Sequence, residues 1–261
     1  MTHLIAFLLG IVQGLTEFLP VSSSGHLVVI QSFFPGFHGD ELAFDVVLHL
    51  GTLLAVIVYF RKDLLALTGA VKPGVEGGRE RRLLLWIVLA TIPTGLIGFL
   101  GRDVFRQLFS VPRLVGITLL ITALLLWLAE RIPAGKRTQH EAGWWRSVVI
   151  GLAQGLAILP GISRSGATIA AGMFSGLDRV QAARFSFLIS IPAILGATLL
   201  DLPAITRLSG QATGPLLTGF LTSLLTGYAA LGLLMFVVRR GRLVYFSLYC
   251  VIVGVAVLLF L

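Results

Sequence analysis

The sequence predicts an all-α polytopic membrane protein, with six transmembrane helices and two re-entrant helix-loop-helix hairpins arranged as an inverted repeat. Three observations carry that prediction. The 261 residues are 56% hydrophobic and 12% charged, with mean hydropathy +0.95, a profile far too apolar for a soluble domain. Long apolar runs alternate with short polar or basic segments, which leaves no room for a soluble domain. The chain also repeats itself: Gln13, Gly14 and Leu15 return as Gln154, Gly155 and Leu156, and Ser22, Ser24 and Gly25 return as Ser163, Ser165 and Gly166, every pair at an offset of 141.

The first element is an apolar arm over 4–12, answered by a second over 27–30. Between them lies a polar run from Gln13 through Glu17 to Ser22, Ser23, Ser24 and His26. Pro20 lacks an N–H and disfavours helix at Leu19, so this stretch reads as helix, break, helix. Non-helical backbone at membrane depth survives only where protein covers it or water reaches it, so the loop is expected to line a site. A polar turn at 34–41 leads to a first span over 42–60, closed by Arg61, Lys62 and Asp63. The segment 69–82, rich in glycine and charge, reads as a solvated loop. Spans over 83–100 and 114–129 follow, joined by 101–113, and a polar segment over 130–143 ends the first half. The second half repeats the plan with a broken hairpin over 144–176 and spans over 185–200, 216–238 and 243–261. All are near the roughly 20 residues that a membrane helix needs.

One hairpin plus three crossings per half turns the second half over, so repeat 1 (1–130) and repeat 2 (144–261) are expected to be inverted. Of the 20 Lys and Arg residues, 15 fall in the segments 61–82, 130–146, 176–184 and 239–242. Four (Arg102, Arg106, Arg113 and Arg207) fall on the other side, and Arg164 lies within the second hairpin. The positive-inside rule then puts the first group in the cytoplasm and both termini outside, with the two hairpin tips entering from opposite faces to meet near the midplane. Topology thus accounts for the formal charge of +8, and nucleic-acid binding is not expected. Cys250 has no second cysteine to pair with and reads as a packing residue. The opening Met1, Thr2 and His3 offer no basic n-region, so the first helix is expected to belong to the mature protein.

The repeats share a scaffold and divide the chemistry: at the common offset Glu17 faces Ile158, Ser23 faces Arg164, and His26 faces Ala167. An ionisable side chain in the bilayer core costs roughly 2.5 to 3.5 kcal/mol on insertion scales, so Glu17 and Arg164 are candidates for function. The plainer alternative is an ion pair that glues the halves. Serine and glycine at the tips also suit close helix packing, whereas the large His26 and Arg164 do not. A phosphate suits the set better. Ser-x-Ser-Gly at a helix start offers hydroxyls and free N–H groups at the positive end of the dipole. Arg164 adds a bidentate fork. Gln13, one turn before Glu17, gives an oxygen pair able to hold a divalent cation. A metal ion, an arginine, a nucleophile and a histidine are the parts of a phosphoryl transfer. Asp45 and His49, one turn apart, read at least as well as helix-interface residues, and Phe185 and Phe187 read as core or lipid-facing before they read as a groove for an apolar tail. A second function class stays open at this level, a secondary transporter or lipid flippase, because broken helices in inverted repeats are the usual transporter pattern. A transport site, however, needs no serine and histidine opposite an arginine.

The stretch from Gln13 and Glu17 through Pro20-Val-Ser-Ser-Ser-Gly-His26, and Pro160-Gly-Ile-Ser-Arg-Ser-Gly-Ala-Thr168, resemble the two signature motifs of the bacterial undecaprenyl-diphosphate phosphatases of the bacitracin-resistance type. The resemblance extends over essentially the full length. It implies an enzyme of the bacterial cytoplasmic membrane that removes the terminal phosphate of undecaprenyl diphosphate and returns the carrier lipid to peptidoglycan synthesis. It also implies dependence on Mg2+ or Ca2+, an active site open to the periplasmic side, and a homodimer. Carried over by position, Glu17, Ser23, His26 and Arg164 form the catalytic set. Ser22, Ser24, Ser163, Ser165 and Thr168 become phosphate or backbone ligands, and Gln13 and Glu17 metal ligands. The family's first motif begins with Glu or Gln, so Gln13 fits it while leaving a single carboxylate. Ser23 is the favoured nucleophile, with His26 as its base and Glu17 orienting the histidine or holding the metal; attack by His26 itself, or by water, stays as an alternative.

Overall fold

The computed structural model describes residues 2–33, 41–70, 78–133, 135–205 and 213–261. Within them the chain is helical; the β structure among the described residues is one isolated bridge, between Arg137 and Leu177. The first half holds α1 (His3–Phe18), α2 (Ser23–Gln31), α3 (Glu41–Tyr59), α4 (Arg61–Ala70), α5 (Gly78–Leu100), α6 (Arg102–Phe109) and α7 (Pro112–Arg131). The second holds α8 (Gly143–Leu156), α9 (Arg164–Phe174), α10 (Arg179–Ile205), α11 (Thr213–Arg239) and α12 (Val244–Phe260).

Each expected apolar span coincides with a helix, and both expected breaks are present. Among the described residues α5, α7, α10 and α11 are long and apolar enough to cross a membrane. The 42–60 span qualifies only together with α4, from which it is bent by 71°. At 17 residues α12 is a shorter apolar helix, as is α1. Two polar joints expected as loops are partly helical. Arg61, Lys62 and Asp63 open α4 instead of ending a span, and Arg102, Asp103 and Arg106 ride on α6. In α6 the charges lie along an amphipathic surface, and in α4 they are gathered in the first turn; hydropathy alone reads either pattern as a loop. The polar turn with His38, the segment with Lys72, and Arg207 lie outside the described residues.

Small residues set the helix pairing, as in other membrane interiors. Gly10 and Gly14 of α1 lie against Thr222 and Thr226 of α11, and Gly151 of α8 lies against the Ala90 carbonyl of α5. Gly116 of α7 meets Gly254 of α12. The main apolar core gathers Phe18, Phe60, Phe185 and Phe187, with Phe18 edge-on to Phe187 at 5.8 Å. Phe185 and Phe187 are therefore core residues, not a groove for a lipid tail.

At the end of α7, Glu130 ties three elements together. Its carboxylate is paired with Arg179 of α10 and accepts the Leu243 N–H at the start of α12 at 2.7 Å. Hydrogen bonds to charged, partly buried groups contribute about 1.5–3 kcal/mol. Glu130→Ala is thus expected to lower stability by about 2 kcal/mol, read as a lower unfolding temperature in detergent, with phosphate-site residues untouched.

Candidate active site

Pro20 ends α1 as expected: Leu19 is extended, with φ −64° and ψ 142°. Ser22 then takes φ 69°, and among the described residues it is the one non-glycine with a positive φ. Such a conformation costs of order 1–3 kcal/mol and persists where surrounding bonds hold it. The holding bonds are visible. Ser22 caps α2 by accepting the Gly25 N–H at 3.3 Å, and it also accepts the Gly161 N–H from the opposite hairpin at 3.1 Å. Gly161 has φ +90°, and a Cβ there would collide with Thr118, so glycine is required on both counts. Ser163 caps α9 in the same way, accepting the Gly166 N–H at 3.1 Å.

The remaining loop groups are satisfied by neighbours, as buried irregular backbone demands. Thr118 of α7 donates to the Pro160 carbonyl at 2.6 Å and Thr122 to the Gly161 carbonyl at 3.0 Å. Ser165 donates to the Leu19 carbonyl at 3.2 Å, joining the second tip to the first.

What this brings together is a carboxylate between two helix starts. Glu17, whose side chain is 4% exposed, sits where the first residue of α2, Ser23, and the first residue of α9, Arg164, both reach it. Arg164 Nη2 lies 2.5 Å from Glu17 Oε1, and the Ser23 hydroxyl donates to Oε2 in a short hydrogen bond. Gln13 Nε2 donates to the same Oε2 at 3.1 Å. Two helix N-termini, a guanidinium and a hydroxyl around one buried anion make a site built for negative charge.

His26 is one turn beyond Ser23 on α2 but is bonded elsewhere. Its Nδ1 lies 2.7 Å from the Ser22 carbonyl oxygen and its Nε2 lies 2.8 Å from the Tyr249 hydroxyl. In this arrangement Ser23 is bonded to Glu17 and not to His26, the base expected for it. The other expected ligands are close by and engaged in holding the tips. Ser22 and Ser24 approach each other at 3.4 Å, Ser163 and Ser165 at 3.2 Å, and Thr168 donates to the Arg164 carbonyl at 2.7 Å.

His49, read from sequence as an interface residue, has its Nε2 3.8 Å from Glu17 Oε2, with its side chain 31% exposed. Its Nδ1 bonds the Asp45 carbonyl at 2.7 Å. Neither motif contains His49 or Tyr249, and each reaches the site from a different helix, so spacing along the chain gives no signal for them.

No three of His, Cys, Asp and Glu gather into a metal-binding group among the described residues. That donor set does not suit zinc, which takes three or four such ligands. A hard divalent cation needs less from the protein, since it takes oxygen ligands and keeps water and substrate oxygens in its shell. Gln13 Oε1 is buried beside Glu17 and has no hydrogen-bond partner. An orphaned amide oxygen next to a carboxylate fits such an ion.

Comparison with known proteins places the chain in a family. Residues 6–256 match the family model described as bacitracin resistance protein BacA. The chain belongs to the BacA family. Among similar proteins, the undecaprenyl-diphosphatase of Desulfosudis oleivorans is 49% identical over 260 residues, covering 94% of each chain. That of Carboxydothermus hydrogenoformans is 45% identical over 257 residues, covering 97% of this chain and 95% of the relative. That of Methanosphaera stadtmanae is 42% identical over 266 residues, covering 96% and 95%. The BacA match spans both hairpins, so the convergence on Glu17 lies wholly within the family's shared length.

Proposed function

We propose that this BacA-family protein is an undecaprenyl-diphosphate phosphatase, hydrolysing the lipid diphosphate to undecaprenyl phosphate and inorganic phosphate and so recycling the carrier lipid for peptidoglycan synthesis. The observation that carries the reading is the meeting of Ser23 and Arg164, each the first residue of its helix, on the buried Glu17. The diphosphate enters the same field of two helix N-termini, and Arg164 moves from Glu17 to the phosphate oxygens, where its fork stabilises the charge of the transition state.

Ser23 Oγ attacks the terminal phosphorus and its proton passes to Glu17 along the hydrogen bond already present, while the bridging P–O bond breaks and undecaprenyl phosphate leaves. A water then attacks the phosphoserine; its proton goes to His26 Nε2, the P–Oγ bond breaks, Ser23 recovers its proton from Glu17, and His26 gives its proton up to solvent as inorganic phosphate leaves. Gln13 Oε1 and Glu17 would hold a Mg2+ or Ca2+ ion, which supplies positive charge to the diphosphate. Ser22, Ser24, Ser163, Ser165 and Thr168 keep the two tips in register and offer hydroxyls to the phosphates.

The finer architecture belongs to the same proposal: six crossings and two re-entrant hairpins, as two inverted halves, with both termini and the site's mouth on the periplasmic side of a bacterial cytoplasmic membrane. In its support, exchanging the halves exchanges the packing partners. The pair α1 and α11 becomes α8 and α5, the pair α3 and α11 becomes α10 and α5, and α7 with α12 maps onto itself. A homodimer is part of the reading implied by family resemblance.

The test is release of phosphate from a detergent-solubilised prenyl diphosphate with Mg2+ or Ca2+ added. Ser23→Ala should abolish release and accept no 32P label, whereas His26→Gln should retain label on Ser23. Label persisting on Ser23→Ala removes the serine from its role. No release from the wild type, together with Arg164-dependent lipid movement across vesicles, would replace the phosphatase by a flippase.

A further inference from the structure

The side chain that completes the bonding of His26 comes from α12, 223 positions further along the chain. A carbonyl oxygen only accepts, so the 2.7 Å bond to the Ser22 carbonyl fixes the proton on Nδ1. In the neutral ring Nε2 is then the acceptor, and the Tyr249 hydroxyl donates to it at 2.8 Å. The two rings are nearly parallel, 10° apart with centroids at 5.6 Å. The next residue along, Cys250, is buried against the Pro20 carbonyl at 3.7 Å and shares an apolar cluster with Val21, Val115 and Leu119. This face of α12 is therefore seated on the first hairpin, and the position of Tyr249 is held by packing and not by its own exposed ring. Ser22 contributes its carbonyl through the unusual φ of 69°, so both partners of the imidazole are built in.

We propose that Tyr249 is a positioning residue for His26: the Ser22 carbonyl sets the Nδ1–H tautomer, and the Tyr249 hydroxyl holds the ring so that Nε2 is aimed. The proposal rests on the reading that His26 takes the proton of the attacking water. Nε2 has one lone pair, so the phenol first turns its hydrogen away and frees it for the water's proton; once Nε2 carries that proton, the phenol oxygen accepts from it.

The test uses the full-length protein in detergent. Tyr249→Phe removes the hydroxyl and keeps the stacked ring. Steady-state kcat is expected to fall about 10-fold, part of the contribution of a general base, with KM within about twofold and phosphoserine accumulating. The His26 Nε2 15N resonance should move as it loses its hydrogen-bond donor, while Nδ1 stays protonated on the Ser22 carbonyl. Tyr249→Leu, which also removes the ring, should fall further. Unchanged 15N resonances in Tyr249→Phe overturn the proposal whatever happens to kcat, and so do moved resonances with unchanged kcat if His26→Gln is impaired. Should His26→Gln turn over like the wild type while Tyr249→Phe moves the resonances, the catalytic reading of His26 falls and the positioning stands.

Discussion

Arg164→Ala is expected to lower phosphate release by about 10³-fold or more, the scale of losing a guanidinium that meets developing charge on a phosphoryl group. Arg164→Lys should restore little of it, because an ammonium cannot make two parallel bonds to phosphate oxygens. The substitution has a second consequence. Glu17 is 4% exposed and Arg164 lies 2.5 Å away, so removing the arginine leaves a buried carboxylate without its counter-charge. Breaking a buried pair from one side costs about 3–5 kcal/mol, and Arg164, at 20% exposure, puts this pair at the lower end. The double variant Glu17→Gln/Arg164→Ala should therefore unfold at a higher temperature than Arg164→Ala alone, without regaining any phosphate release. That recovery separates the two uses of the pair, structural and chemical. Arg164→Lys activity within about threefold of wild type would mean that one positive charge suffices, and the bidentate clamp would be withdrawn.

The hairpins were legible because their signals are local. Proline, a serine cap and a small residue lie within a few positions of one another, and the second copy repeats them at a fixed offset. The spans were legible because hydropathy is a property of a window. The bend between α3 and α4 was not, since Arg61, Lys62 and Asp63 satisfy both a chain leaving the membrane and a helix turning along its surface. At the site, Glu17, Ser23 and Arg164 were expected together and lie together. The bonding of His26 was not legible: a histidine three residues after a serine on a helix looks like its base, and only tertiary packing brings the Tyr249 hydroxyl to the ring instead. The choice between an interface and a site role for His49 was not legible for the same reason, as its approach to Glu17 depends on how α3 leans on α1.

Gly14→Ala should be among the most damaging single-methyl changes in the protein. A Cβ at Gly14 would overlap Thr226 Oγ1 and come within 2.7 Å of the Gly227 nitrogen and the Ser223 carbonyl oxygen of α11. Two of these three atoms are backbone of a packed helix, so relief requires α1 and α11 to separate. Overpacking of this kind costs about 1–3 kcal/mol and more where the neighbour cannot yield, and the displacement falls on Glu17, one turn along the same helix. Loss of both thermal stability and phosphate release is expected. Position 155 is its repeat counterpart, and there the three atoms nearest an added Cβ all belong to the Ile97 side chain: Cδ1 at 2.6 Å, which can rotate away, and Cβ and Cγ1 at 3.0 and 3.3 Å, which need only a small shift. Gly155→Ala should be correspondingly milder. Gly232 has nothing within 4 Å of the added atom, so Gly232→Ala should leave activity intact and raise stability by about 0.5–1 kcal/mol through helix propensity. Thermal unfolding of the three alanine variants side by side reads the order directly. If Gly14→Ala melts with Gly232→Ala, then α1 is not pinned to α11 by close backbone contact, and the placement of Glu17 must come from the loop bonds alone.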